Sequence, residues 1–125
     1  MTAEVITKTA PGTVAEVAAR FRALLDAKQI RVFATIDQAE AARSAGLTLR
    51  DTILIIFGNP AAGTPIMSAA PLAALDLPLK LLIWDDNGTT RLTYEPPETL
   101  ATRRNLTADS VTALNAIHQL TDALT

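Results

Sequence analysis

The stretch "LKLLIWDDNGTTRLTY", residues 79–94, decides how this chain folds. Two strand-like runs flank Asp85-Asp86-Asn87-Gly88, and Asn87-Gly88 supplies the positive φ values of a type I′ hairpin turn. Upstream, "TILIIF" (52–57) is a near-continuous run of mostly β-branched apolar residues, the pattern of a strand covered on both faces. "QIRVFATID" (29–37) and the alternating residues Glu4 to Thr9 read as two earlier strands. A hairpin this late, with helices on one face, indicates an α+β domain and not a doubly wound parallel sheet.

Helix signals fill the gaps. Thr13 and Glu16 form a capping box, and Val14, Val17, Ala18, Phe21, Leu24 and Leu25 make one apolar stripe behind it. Asp37 is placed to cap a short helix through Ala45, with Glu40 as its partner and Gly46 as the stop. Thr64-Pro65 reads as an N-cap followed by Pro at the first helical position, with short turns through Ala74. Pro97 to Arg104 gives a further short helix. Thr107 caps a last one, whose stripe is Val111, Leu114, Ile117, Leu120 and Leu124. The predicted order is β-α-β-(α)-β-(α)-β-β-α-α. It describes one two-layer domain over residues 1–125, with a mixed or antiparallel sheet and helices mainly on one face.

Composition narrows the functions. Of 125 residues, 49% are hydrophobic and 19% charged, which suits a globular chain. A mean hydropathy of +0.23 is high for so short a chain, so a subunit interface is expected, most simply in a homodimer. The apolar segment "SAAPLAALDLPL" (68–79) offers one surface for such assembly, and a structural or interaction module is one reading of the chain. The net charge is −2 with no basic block, which argues against nucleic acid as a partner. Absence of cysteine removes disulfides, thiolate nucleophiles, iron–sulfur clusters and Cys-type zinc sites. With His118 as the single histidine, multi-His metal sites are excluded, and no spaced acidic loop supports a carboxylate-and-carbonyl site for a hard cation, so no metal or other cofactor is expected. The start "MTAEVITKTAPG" lacks the pattern of a signal peptide, and no apolar run reaches the length of a membrane span. A cytoplasmic protein without membrane association is the resulting expectation.

The candidate site lies in "IIFGNPAAGTPIM", residues 55–67. Gly58 and Gly63 have the G-x-x-x-x-G spacing of a phosphate-binding P-loop, but Thr64-Pro65 follows where Lys and Ser or Thr should stand. Two readings remain. A strand running through a Gly-rich turn into a helix N-terminus presents N–H groups to an anion or carbonyl, with Asn59 and Thr64 adding polar side chains. Alternatively the segment only turns the chain, Gly meeting the steric demand and Thr64 capping its helix. Elsewhere, His118 reads as a half-buried helix residue, and Asp85-Asp86 as turn residues. Arg103-Arg104 is either an anion clamp or a pair matched to a helix dipole. Tyr94 suits either a pocket or a core rim.

"TIDQAEAARSAGLTLRDTILIIFGNPAAGTPIMSAAPLAALDLPLKLLIWDDNG" and "LTYEPPETLATRR" together resemble the bacterial and archaeal family known as domain of unknown function 302. The most specific pieces are "FGNPAAGTPIM" and "ALDLPLKLLIWDD". The resemblance implies a compact α+β fold, commonly a dimer, with a cleft beside the Gly-Asn-Pro segment. It brings no established reaction and no catalytic residues. This chain departs from the family pattern at Gln38 and Arg104, where relatives often carry His, and at Ala61, where Lys is frequent. The ligand-binding candidates are therefore Asp37, Gln38, Asn59, Gly63, Thr64, Tyr94 and Arg103, around a small organic or anionic molecule. A second reading is a hydrolase or isomerase with Asp37 as general base and the Gly58–Thr64 amides as an oxyanion site.

Overall fold

The computed structural model describes residues 4–125. Five strands, β1 (Ile6–Ala10), β2 (Arg31–Asp37), β3 (Thr52–Gly58), β4 (Leu79–Asp86) and β5 (Thr89–Tyr94), form one sheet in the order β1-β5-β4-β3-β2. Every neighbouring pair is antiparallel, so the sheet is not mixed. Six α-helices accompany it: α1 (Val14–Ala27), α2 (Gln38–Ser44), α3 (Pro60–Ala69), α4 (Pro97–Arg104), α5 (Ala108–Leu114) and α6 (Ala116–Asp122). A 3₁₀ helix spans Pro71–Leu75. The α+β class and the strand order along the chain agree with the sequence reading.

The late hairpin forms as its residues dictate. Asn87 and Gly88 have φ of 51° and 94°, and the Asp85 carboxylate accepts a 3.0 Å hydrogen bond from the Gly88 amide. That geometry pins Asp86 opposite Thr89 and Ile83 opposite Leu92. The Thr13–Glu16 capping box opens α1, whose stripe packs on the sheet through Val17, Phe21 and Leu25. Phe21 meets Phe57 edge-to-face, with ring centroids 5.1 Å apart. Ile117, Leu120 and Leu124 from the chain's end complete this core, and a smaller one joins Ile66, Ala73, Leu77, Leu100 and Leu114.

Three local expectations need correction. In β3, Ile55 and Phe57 are buried but Leu54 and Ile56 are only half-buried, so the strand is covered on one face and not both. The open face continues through Leu82 and Trp84 of β4, because alternate residues of a strand point to opposite sides. Helix α3 begins one turn earlier than Thr64: Asn59 is its N-cap and Pro60 its first residue. Asn-Pro and Thr-Pro are both good N-cap pairs, and the one at the strand's end is used. Finally, the last helix is broken at Asn115, where the amides of Asn115 and His118 bond the carbonyls three residues back. Tight i→i−3 turns of this kind replace the α-helical ladder over that stretch.

Candidate functional site

β3 delivers Phe57 and Gly58 to the end of the sheet, where Asn59 starts α3. The space beyond is a cavity of about 190 Å³. Its walls come from five parts of the chain: Phe57 and Gly58, then Ala62, Gly63 and Met67 of α3, then Leu77, Pro78 and Leu79 leading into β4, then Ala113, Leu114, Ala116 and Ile117 around the α5–α6 break, and Phe33 of β2. The small residues leave the room that the cavity occupies. Asn59 is the one polar side chain in the lining.

The turn does not leave a row of free amides. The Asn59 side-chain oxygen accepts from the Ala61 amide at 3.0 Å, and the Asn59 carbonyl accepts from Ala62 and Gly63 at 2.9 and 3.0 Å. Helix formation has consumed the donors that an anion nest would use. Pro60 has no N–H to offer.

The other candidates are distributed as follows. Asn59 and Gly63 line the cavity; Asp37, Gln38, Thr64, Tyr94 and Arg103 are not among its lining residues. Asp37 caps α2, its carboxylate accepting from the Glu40 amide at 2.9 Å, and Gln38 is the exposed first residue of that helix. Arg103 is bound to Glu95 and, at 2.8 Å, to Asp76, while Arg104 meets the second oxygen of Asp76 at 2.6 Å. Both arginines thus already have carboxylate partners. Burial would push the Asp76 carboxyl up, but the hydrogen bonds from Arg104 and Arg103 outweigh it and hold the pKa below the usual value. A second cavity, also about 190 Å³, touches Tyr94, Asp76, Glu95 and Leu54. Its carboxylates are the ones occupied by Arg103 and Arg104.

One polar cluster escaped the sequence reading. The Tyr94 hydroxyl lies 2.7 Å from His118 Nδ1, and His118 Nε2 is 3.5 Å from a Glu98 oxygen. Lys8 stands beside them, bonded to Asp122 at 2.8 Å and to the Thr121 hydroxyl at 2.7 Å, with its ammonium 5.3 Å from the Tyr94 ring centre. Burial opposes the Lys8 charge, yet Asp122 and Tyr94 more than offset it and raise the pKa. Tyr94 is only 3% exposed, and this cluster joins β5, β1, α4 and α6. No local spacing signals the pairing of Tyr94 with His118. Among the described residues, no group of three or more His, Cys, Asp or Glu side chains is placed to hold a metal ion.

Comparison with known proteins adds three findings. The family model described as Domain of unknown function DUF302 matches residues 6–124. The crystal structure of an uncharacterized conserved DUF302 protein from Bacillus stearothermophilus shares the fold, with a TM-score of 0.84 over 98% of this chain and 97% of that one, at 21% identity. Fluoride-specific ion channel FluC 1 of Brucella suis biovar 1 (strain 1330) is 40% identical over 106 residues, 84% of this chain but 42% of the channel protein. The same protein name in Brucella abortus biovar 1 (strain 9-941) gives 40% identity over 39% of its length. The chain thus spans about two fifths of the curated relatives it matches. Among the described residues, no helix is long and apolar enough to cross a membrane.

Proposed function

We propose a binding role from one plain premise: this chain belongs to the family of domain of unknown function DUF302. Its function on this reading is to hold a small organic ligand in the cavity beside "FGNPAAG". The observation that carries the reading is the coincidence of that segment with an apolar cavity of about 190 Å³, comparable to one that admits a single ring. The enzyme alternative has weaker support, because the Asp37 carboxylate caps its own helix and lies outside the cavity lining. Spectra of ¹⁵N-labelled protein with a panel of small organic compounds test the reading. Saturable shifts at Gly58, Gly63 and Ala116 are expected; a panel that leaves those amides unmoved contradicts it.

Homodimerisation goes with this proposal. The open sheet face carrying Leu54, Ile56, Leu82 and Trp84 is apolar enough to be covered by a second copy. Leu72 and Leu75, exposed to 65% and 71%, give the 68–79 segment a competing claim to that contact. Light scattering after size exclusion decides whether any dimer forms, and Leu82→Lys against Leu75→Lys decides which surface makes it.

The Brucella relatives favour a second reading, in which this domain is an accessory to an ion channel. The supporting observation is that 84% of this chain matches part of proteins named fluoride-specific ion channels. Since no described helix is long and apolar enough to span a membrane, the matched portion would act beside the pore. Co-purification of this chain with the unmatched portion of the Brucella suis protein supports this reading, and independent elution of two folded partners contradicts it.

A further inference from the structure

We propose that the molecule held in this cavity is neutral, about the size of one substituted ring, and bears a hydrogen-bond acceptor that meets the Asn59 side-chain amide. The inference rests on the binding role proposed above and specifies its ligand class.

Size comes from the volume. An apolar engineered cavity of about 150 Å³ accommodates benzene. The 190 Å³ here therefore suits a single ring with a short substituent.

Charge follows from the walls. Every lining side chain other than Asn59 is apolar, and no charged residue is among them. The amides of Ala61, Ala62 and Gly63 are already bonded to Asn59. An anion entering this space would lose hydration and gain only the neutral Asn59 Nδ2 donor, with no cation in the lining to balance its charge, which disfavours carboxylates and phosphates. Arg31 lies near the mouth, 5.5 Å from the centre of the Phe33 ring, but it stacks on that ring and is not in the lining.

The acceptor follows from Asn59. Its Oδ1 receives the Ala61 N–H, which fixes the amide orientation and leaves Nδ2 as the remaining donor. Asn59 is exposed and lies at the rim of the lining, where a carbonyl or ether oxygen of a bound molecule can reach Nδ2 while the ring stays among Phe57, Met67 and Ile117.

Three ring compounds of similar size separate these elements: acetophenone (neutral, acceptor), benzoate (anionic) and ethylbenzene (no acceptor). They are titrated into ¹⁵N-labelled full-length protein at neutral pH. Acetophenone should saturate shifts at Gly58, Gly63 and Ala116 at concentrations at least about tenfold below benzoate, a difference of about 1.4 kcal/mol. Asn59→Asp keeps a good N-cap but removes the Nδ2 donor, so it should weaken acetophenone and leave ethylbenzene nearly unchanged. Benzoate binding as tightly as acetophenone overturns the neutral class while the cavity role stands. Equal binding of ethylbenzene and acetophenone overturns the acceptor. Failure of all three overturns the ligand class, and the cavity role itself falls only if the wider panel also fails.

Discussion

The hydroxyl of Tyr94 sits 2.7 Å from Nδ1 of His118, joining the end of the last strand to the last helix. The ring of Tyr94 is buried in the main core, so its polar tip needs a partner at that depth. His118 supplies it and is braced in turn by Glu98. Tyr94→Phe should therefore cost about 1 kcal/mol of stability in chemical denaturation. Tyr94→Phe combined with His118→Phe should cost less than the two single changes added, since they remove one shared bond. Strict additivity would show that the pair is not coupled.

The Asp76 site makes a pH-dependent contribution. Its folded pKa lies below the ordinary 3.8, so its stabilising effect is present above that value and is lost as pH falls through the lower folded one. Asp76→Asn should destabilise by about 1–2 kcal/mol at neutral pH, where two arginines lose a charged acceptor. The gap between wild type and variant should close as pH falls below 3.8. A gap independent of pH would remove the ionic explanation.

Gly88 tests the stretch that sets the fold. Its φ of 94° favours glycine, while a Cβ there would meet nothing within 4 Å. The cost of Gly88→Ala is thus a backbone cost alone, expected at about 1 kcal/mol or more. A neutral result in thermal or urea unfolding would mean that the turn relaxes without penalty.

Gly63 behaves in the opposite way. It lies inside α3 without positive φ, and an added Cβ would meet only the Met67 methyl at an ordinary 3.7 Å. Gly63→Ala should stabilise the protein by about 0.5–1 kcal/mol through helix propensity. On the proposed binding role, the glycine leaves space in the cavity, and the stabilised variant should bind acetophenone more weakly. Tighter binding by that variant would count against this use of the space.

What the sequence made legible was local. The hairpin at Asn87-Gly88 and the capping box at Thr13 each depend on residues within a few positions, and both form as read. The start of α3 was ambiguous because Asn59-Pro60 and Thr64-Pro65 carry the same capping chemistry. The break at Asn115 was hidden because the apolar stripe of Val111, Leu114, Ile117, Leu120 and Leu124 runs through it; the last four are buried as expected and Val111 is half-buried. A cavity does lie beside "FGNPAAG", but its apolar character was not legible in that segment. Apolar walls arrive from β2 and the α5–α6 break, far along the chain, and the amides that suggested an anion are satisfied within the turn. Likewise Arg103, which could be read as half of an anion clamp or as matched to a helix dipole, is bound by Asp76 and Glu95, and neither partner is signalled by local spacing.

The central claim is that the cavity beside Gly63 is a binding site, and calorimetric titration of acetophenone into wild type and Gly63→Leu tests it most directly. The added side chain fills the cavity, and circular dichroism establishes that the variant is folded. A saturable heat is expected with wild type and none with the folded variant. Equal binding by both proteins would contradict it.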